Sequence, residues 1–349
     1  ARDPEDPQDW HMSALGDPDN WDKDPAVHTA TMAISGNNAR CGKSPDIVNA
    51  IIPYSDDLLL FGGDSNIYRL TGDPMAGGQI DTVSTTTGIA YGQAWCKDPE
   101  GIVYFFGSRG GVYAMTPQGE IASLTSNKIE RRLQQINLSQ SQVKLVWNTR
   151  EQGVHVFQVP DVNATYQIQT SWFWDKRNNA WYEDEIASER QQVTAVAEID
   201  GDEYDDRVLL LGSEYGKYLW YDPRSSNDWE VGDTTPSKQI NSRVVLGPLS
   251  HEEAMSSYRY SKIKAELARG QAGLDYSIRT ADQAATYANA TEAPHGIGRF
   301  LSGPNPYVPG TFKGAAVWIK LSNASAGERW SLEALSLTAN FAGRKLLKS

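Results

Sequence analysis

The residues best equipped for chemistry in this 349-residue chain are its carboxylates, and they gather in turn-like stretches: DPEDPQD at 3–9, GDPDNWDKD at 16–24 and DGDEYDD at 200–206. Asp200, Asp202, Glu203, Asp205 and Asp206 place five hard oxygen donors within seven residues, the donor type that calcium takes, and Asp200, Asp202, Asp205 and Asp206 are the candidate ligands. Their order does not follow an EF-hand loop, and a solvated turn between strands is the competing reading. Asp17, Asp19, Asp22 and Asp24 form a second acidic loop. Glycoside hydrolysis would need two carboxyl groups ~5 to 9 Å apart, a spatial property that spacing along the chain does not reveal.

Other motifs are weaker. Gly36-Asn37-Asn38-Ala39-Arg40-Cys41-Gly42-Lys43-Ser44 resembles a phosphate-binding loop, but it has one residue too many between its glycines. Pro45 and Asp46 follow where a helix N-terminus should face the phosphates, which speaks against nucleotide binding. His11, His28, His155, His251 and His295 lie far apart and read as surface or loop histidines. His251-Glu252-Glu253 lacks the second histidine of a zinc-protease helix, and no G-x-S-x-G elbow is present. No metal or other cofactor is expected beyond the calcium candidate. Cys41 and Cys96 are expected as buried or half-buried thiols, since a large β protein needs no staple. Sequons at Asn137, Asn163, Asn289 and Asn323 matter only on a eukaryotic secretory route.

The formal net charge of −12 repels nucleic acid at short range and disfavours sequence-specific DNA binding. No apolar run approaches the ~20 residues needed to cross a bilayer, so membrane insertion is not expected. The first ten residues, ARDPEDPQDW, do not read as an intact signal peptide.

The elements that must position these residues repeat. Leu60-Phe61-Gly62 with Tyr68 and Pro74, Phe105-Phe106-Gly107 with Tyr113 and Pro117, and Leu210-Leu211-Gly212 with Tyr218 and Pro223 share one spacing, the Tyr six residues after the Gly. An apolar run, a glycine turn, a second run centred on an aromatic and a proline describe a β-hairpin, with the glycine taking the positive φ of the turn. Gly62 and Gly107 lie 45 residues apart, a period that suits β-propeller blades. Blades are expected at 46–74, about 87–125, 141–185 and 192–222. Ile129, Leu133 and Ile136 recur at helical spacing, so a short inter-blade helix is expected near 126–139, capped by Ser126.

After VGDTTPSK at 231–238 the strands lengthen and no blade motif recurs. The expected fold is therefore all-β: a β-propeller over 1–232, then a β-sandwich-like domain over 233–349, with closing propeller blades as the alternative. In the latter region Trp318, Ile319 and Leu321 are expected to pack with Trp330, Leu332 and Leu335.

Five segments taken in order resemble a known family: SALGDPDNWD (13–22), PDIVNAIIPYSDDLLLFGGDSNIYRLTGDP (45–74), GIVYFFGSRGGVYAMTP (101–117), SNKIERRLQQINLSQ (126–140) and WSLEALSLTANFAGRK (330–345). They look like virion proteins of tailed bacteriophages, and within these the β-propeller tail proteins of short-tailed phages: tail nozzle, tail tubular protein B and packaged-DNA-stabilisation types. The resemblance implies a ring, typically a hexamer, attached beneath the portal and adaptor as a DNA exit channel, assembled in the host cytoplasm and carried in the virion. It implies no catalytic residue and no cofactor. The chain begins inside what reads as a blade, ahead of which a full nozzle protein carries further sequence. With that role, Asp17, Asp19, Asp22, Asp24, Asp202 and Glu203 become candidates for channel wall or subunit interface, where carboxylates would let genomic DNA pass without sticking. The alternatives are a propeller glycan-binding protein or glycoside hydrolase, and a cellular propeller scaffold.

Overall fold

A computed structural model describes residues 3–160, 169–186, 193–199, 207–213, 218–221, 227–228, 238–250, 256–281, 289–305, 308–325 and 327–344. The chain is all-β and divides into two compact units, Ala1–Asp222 and Pro223–Ser349.

The first unit is a series of antiparallel meanders in chain order. Sheet 1 comprises β1 (Val48–Ser55), β2 (Leu58–Gly63), β3 (Ile67–Thr71) and β4 (Gln79–Ser84). Sheet 2 comprises β5 (Trp95–Lys97), β6 (Val103–Phe106), β7 (Val112–Met115) and β8 (Ile121–Ser123). A four-residue helix α1 (Glu130–Leu133) leads to sheet 3, with β9 (Ser141–Asn148), β10 (Gly153–Pro160), β11 (Gln169–Asp175) and β12 (Ala180–Ile186). Sheet 4 has three described strands, β13 (Val193–Ile199), β14 (Val208–Ser213) and β15 (Tyr218–Tyr221).

These sheets stack face to face as propeller blades do, because their strands are apolar on both alternating sets of positions and each face needs a cover. Phe105 and Phe106, neighbours on β6, show this directly. Phe105 joins Ala50, Ile52, Leu60 and Ile67 of sheet 1, while Phe106 joins Val143, Leu145, Trp147 and Trp172 of sheet 3. Val146 and Phe157 of sheet 3 in turn pack on Val193, Val196, Leu209 and Leu211 of sheet 4. The other face of sheet 1 is covered by an N-terminal layer, in which Trp10 and Ile34 pack on Phe61, Tyr68 and Leu70. The Trp10 and Phe61 ring centroids lie 5.8 Å apart.

Two local expectations need correction. Gly62, Gly107 and Gly212 do not take a positive φ; in the second hairpin Gly110 (+92°) and Gly111 (+87°) do. Gly62 and Gly107 are required for packing instead: a Cβ on Gly62 would lie 2.6 Å from Ile89, and one on Gly107 2.7 Å from the Tyr113 ring. Each Tyr does lie on the third strand of its sheet, but the register slips, Tyr68 facing Phe61, Tyr113 facing Phe105 and Tyr218 facing Gly212. The helix is shorter than 126–139 and Ser126 does not cap it. Asn127 has φ +60°, which the helix cannot contain, and the N-cap is Ile129 with no side-chain hydrogen bond. Leu133 is still fully buried, with Ile129 and Ile136 packed beside it.

The second unit contains a short ribbon, Asn227–Asp228 paired with Lys238–Gln239, and a two-sheet sandwich. The sandwich strands are β16 (Ser242–Ser250), β17 (Ser256–Leu267), β18 (Leu274–Ala281), β19 (Thr291–Phe300), β20 (Val308–Gly314), β21 (Ala316–Asn323) and β22 (Leu332–Arg344). One sheet runs β16-β21-β18-β19 and the other β20-β17-β22. Tyr260, Ile263 and Leu267 meet Tyr276, Ile278, Val317, Ile319 and Leu321 in its core, with Trp330, Leu332 and Leu335 against them. Trp318 is buried outside this cluster, as the alternation of a strand requires for a neighbour of Ile319. Among the described residues no helix is long and apolar enough to cross a membrane.

Candidate functional site

Sheet 4 carries the largest anomaly of the first unit. Val193, Val196, Leu209 and Leu211 turn towards sheet 3, so the opposite parity must point away. On that side the register aligns Ile199 with Val208, Ala197 with Leu210 and Leu210 with Trp220, and Ala195 with Gly212 and Gly212 with Tyr218. Apart from Thr194, which the bulge turns the same way and whose hydroxyl donates to the Gly212 carbonyl (3.3 Å), every described residue on this face is apolar or aromatic. Tyr218 is 70% exposed, Trp220 66% and Ile199 46%, with Ala195 and Ala197 exposed beside them. A continuous apolar face left in water is the usual mark of an interaction surface, whereas single exposed hydrophobes are ordinary.

The N-terminal layer shows a second concentration of exposed apolar side chains. Its loop carries Leu15 at 78% exposure, Val27 at 73% and Trp21 at 47%. Backbone hydrogen bonds from Ala14 N to Asn20 O and from Leu15 N to Thr31 O, each 2.9 Å, hold the loop closed. Asp17, Asp19, Asp22 and Asp24 all lie on it, exposed. Asp17 Oδ1 accepts from the Asp19 amide (3.3 Å), Asn20 Oδ1 from that of Asp22 (3.1 Å) and Asp22 Oδ1 from that of Asp24 (3.1 Å). These Asx turns explain why Asp and Asn recur here. Asp24 also lies 3.3 Å from His28 Nε2. Asp200, Asp202, Glu203, Asp205 and Asp206 fall outside the described residues, as does His251.

The titratable groups elsewhere in the first unit serve the stack. Asp98, fully buried on its side chain, accepts from the Ile102 amide (2.8 Å), the Tyr104 hydroxyl (3.0 Å) and Lys176 Nζ (3.1 Å), which reaches over from sheet 3. Lys176 also donates to Glu100 (2.7 Å) and lies 5.6 Å from the centroid of the Trp147 ring. Burial pulls the Lys176 ammonium down, but the Glu100 and Asp98 hydrogen bonds outweigh it and hold it above its ordinary value. Burial, and then the Asp98 charge, pushes the Tyr104 hydroxyl well up. Sheets 3 and 4 are joined in the same way, Glu198 accepting from the Thr149 amide (2.7 Å) and hydroxyl (3.0 Å).

Further groups in the first unit have defined surroundings. Asp3, Asp9 and His11 place potential ligand atoms within 4.8 Å of one another. Hydrogen bonds account for that closeness: His11 Nε2 lies 3.1 Å from Asp3, and the Asp3 amide donates to the Asp9 carbonyl (3.2 Å). Lys23 Nζ, 3.0 Å from His11 Nδ1, can only donate, so Nε2 carries the ring proton and is not free for a cation. The stretch from Gly36 to Ser44 is a run of turns leading into β1, with the Lys43 ammonium paired to Asp6. His155 departs from the surface expectation. It is buried on β10, 3.2 Å from Asn148 Nδ2 and 3.4 Å from Glu151, with the Phe173 and Tyr221 rings 4.5 and 4.8 Å away. Cys41 is half-buried and Cys96 buried, both free thiols as expected.

Two open concavities lie among the described residues of the first unit. One of about 510 Å³ runs along the edge of β1, lined by Val48, Asn49, Ala50, Ile51 and Tyr91, and one of about 560 Å³ lies at Leu58, Arg69 and Asp81.

No family model matches the chain, and no curated protein matches it. Solved structures do. The extracellular domain of a protein described as a one-component system of B. thetaiotaomicron aligns with TM-score 0.31 and 12% identity over 77% of this chain and 36% of that one, so this chain spans about a third of its length. A glycoside hydrolase structure aligns with TM-score 0.25 and 8% identity over 83% of each chain. An engineered GH43 glycoside hydrolase, described as displaying endo-xylanase and exo-arabinofuranosidase activity, aligns with TM-score 0.25 and 8% identity over 86% of this chain and 88% of that one. Likeness at this level assigns this chain no activity.

Proposed function

We propose that this chain is a structural component of a phage tail, one subunit of a ring through which DNA leaves the virion. The observation that carries the reading is the uncovered apolar face of sheet 4, at the end of a stack in which sheets 1 to 3 are packed on both sides. Such a face belongs to a part made to be built into something larger. The ordered resemblance of five segments to β-propeller tail proteins supplies the kind of assembly, with the portal adaptor and other tail proteins as neighbours. Exposed carboxylates at Asp17, Asp19, Asp22 and Asp24 suit a surface past which phosphates must slide.

Electron microscopy of the purified full chain, combined with filter binding of linear duplex DNA, tests this. The expected result is closed rings that retain no DNA at low salt. Replacing the four loop carboxylates with Lys should leave the rings intact and make them hold DNA in a salt-dependent way. Monomers that bind or cleave a polysaccharide would overturn the reading.

The second reading is a propeller glycan-binding protein or glycoside hydrolase. It is favoured by Tyr218 and Trp220, two exposed rings two residues apart on one face of β15, hence roughly 6.6 Å apart along the strand. Flat aromatic faces at such a spacing can receive successive sugar rings.

A further inference from the structure

The uncovered face of sheet 4 and the apolar loop of the N-terminal layer are different surfaces of one compact unit, at the two ends of the order in which its layers stack. We propose that they are the two halves of one subunit contact: Leu15, Trp21 and Val27 of one copy dock on the sheet-4 face of the next, against Ile199, Leu210, Tyr218 and Trp220. This rests on the ring of the preceding section, and it names the surfaces that close it.

Three observations point to a second copy as the occupant. The first is geometric. A contact between two unlike surfaces of the same chain is heterologous, and repeated around an axis it generates a ring, whereas pairing two sheet-4 faces would stop at a dimer. The second is how the molecule already covers such a face. The far side of sheet 1 is capped by the N-terminal layer of its own chain through Trp10, Ile34 and Phe61, so a loop layer bearing a tryptophan is a cover this fold uses. The third is area. Aromatic side chains bury ~150 to 250 Å² each, so Tyr218 and Trp220 at 70% and 66% exposure leave on the order of 100 to 150 Å² each uncovered. With Ile199 and the alanines the face reaches roughly 300 to 400 Å², about half of the ~800 Å² per partner that a stable interface buries. The surround of the face must supply the remainder, while Asp17, Asp19, Asp22 and Asp24 stay on the solvent side of the loop. An apolar centre within a polar rim is the usual anatomy of an interface.

The test uses the full chain and two variants, Trp220→Asp, which spoils the sheet face, and Trp21→Asp, which spoils the loop, each checked for folding by circular dichroism and followed by native mass spectrometry. The expected result is a ring for the unaltered chain and a monomer for each variant at tenfold or more above the concentration that assembles the unaltered chain. A one-to-one mixture of the variants should give a two-membered species, because the intact loop of one fits the intact face of the other. Rings that persist in both variants overturn this inference and leave the ring reading standing, whereas an unaltered chain that stays monomeric at every concentration overturns both. A Trp220→Asp variant that loses its strand signal would make the face core, and a Trp21→Asp variant that still assembles normally would remove the loop from the contact; either overturns the inference. So does quenching of Trp220 by a xylan oligosaccharide in a monomeric chain.

Discussion

Sheets 2 and 4 are built from the same spacing and end in opposite conditions. Phe105-Phe106-Gly107 with Tyr113 and Leu210-Leu211-Gly212 with Tyr218 each place the paired apolar residues on the second strand and the tyrosine on the third. In sheet 2 both faces are filled, Phe105 towards sheet 1 and Phe106 towards sheet 3, and Tyr113 stacks on Phe105 with centroids 5.5 Å apart. In sheet 4 only the Leu211 side is covered, and Tyr218 stands 70% exposed. The lesson is that a blade's sequence sets its strands and parity, but whether a face becomes core or interface depends on what stacks against it. An apolar face with no neighbour is therefore information about assembly.

The largest expected effect that sharpens this contrast is at Phe106. Phe106→Ala should cost ~3 to 5 kcal/mol in urea denaturation, since the ring is fully buried between sheets 2 and 3. An unchanged midpoint would break the comparison at its buried end. Next is the polar tie between the same sheets. Lys176→Met leaves the buried Asp98 charge with only the Tyr104 hydroxyl and the Ile102 amide, and should cost about 1 to 3 kcal/mol. Prior removal of Asp98 should erase most of that cost in a double-mutant cycle.

A smaller effect comes from pH. The hydrogen bond from Arg177 holds the buried Asp175 carboxyl below its ordinary value. A carboxyl depressed in the folded state contributes stability above its unfolded pKa of ~3.9, and that stability is lost as pH falls through the folded value. Asp175→Asn should therefore flatten the acid limb of a stability curve below about pH 4, and an unaltered limb would remove Asp175 from the account. The smallest effect is expected on sheet 4. Trp220→Ser should change the stability of the isolated chain by no more than about 0.5 kcal/mol, as exposed positions do. A loss comparable with that of Phe106→Ala would mean the face is already core.

Much of the fold was legible because the strands announce themselves. The blade expected at 141–185 is sheet 3, and the longer strands after residue 238 are the sandwich. The hairpin glycines were misread because a glycine needed for close packing and one needed for positive φ look alike in sequence, and only the Ile89 and Tyr113 side chains distinguish them. The helix was overextended because the spacing of Ile129, Leu133 and Ile136 does not disclose the left-handed Asn127. At the candidate site, the acidic loop was visible and its Asx turns fit its Asp and Asn spacing. The sheet-4 face was missed although its signal was present. Ala195, Ala197 and Ile199 alternate with Val193 and Val196 across a bulge, so β13 is apolar on both faces and implies a cover on each.

The central claim is that the outer face of sheet 4 is covered by another subunit, and hydroxyl-radical footprinting read by mass spectrometry tests it at single residues. Across a dilution series, oxidation of Tyr218 and Trp220 should fall in step with assembly, while Tyr182 on β12, 48% exposed and outside the proposed contact, should stay constant. Tyr218 and Trp220 oxidised to the same extent in the assembled and the dissociated chain would contradict the account.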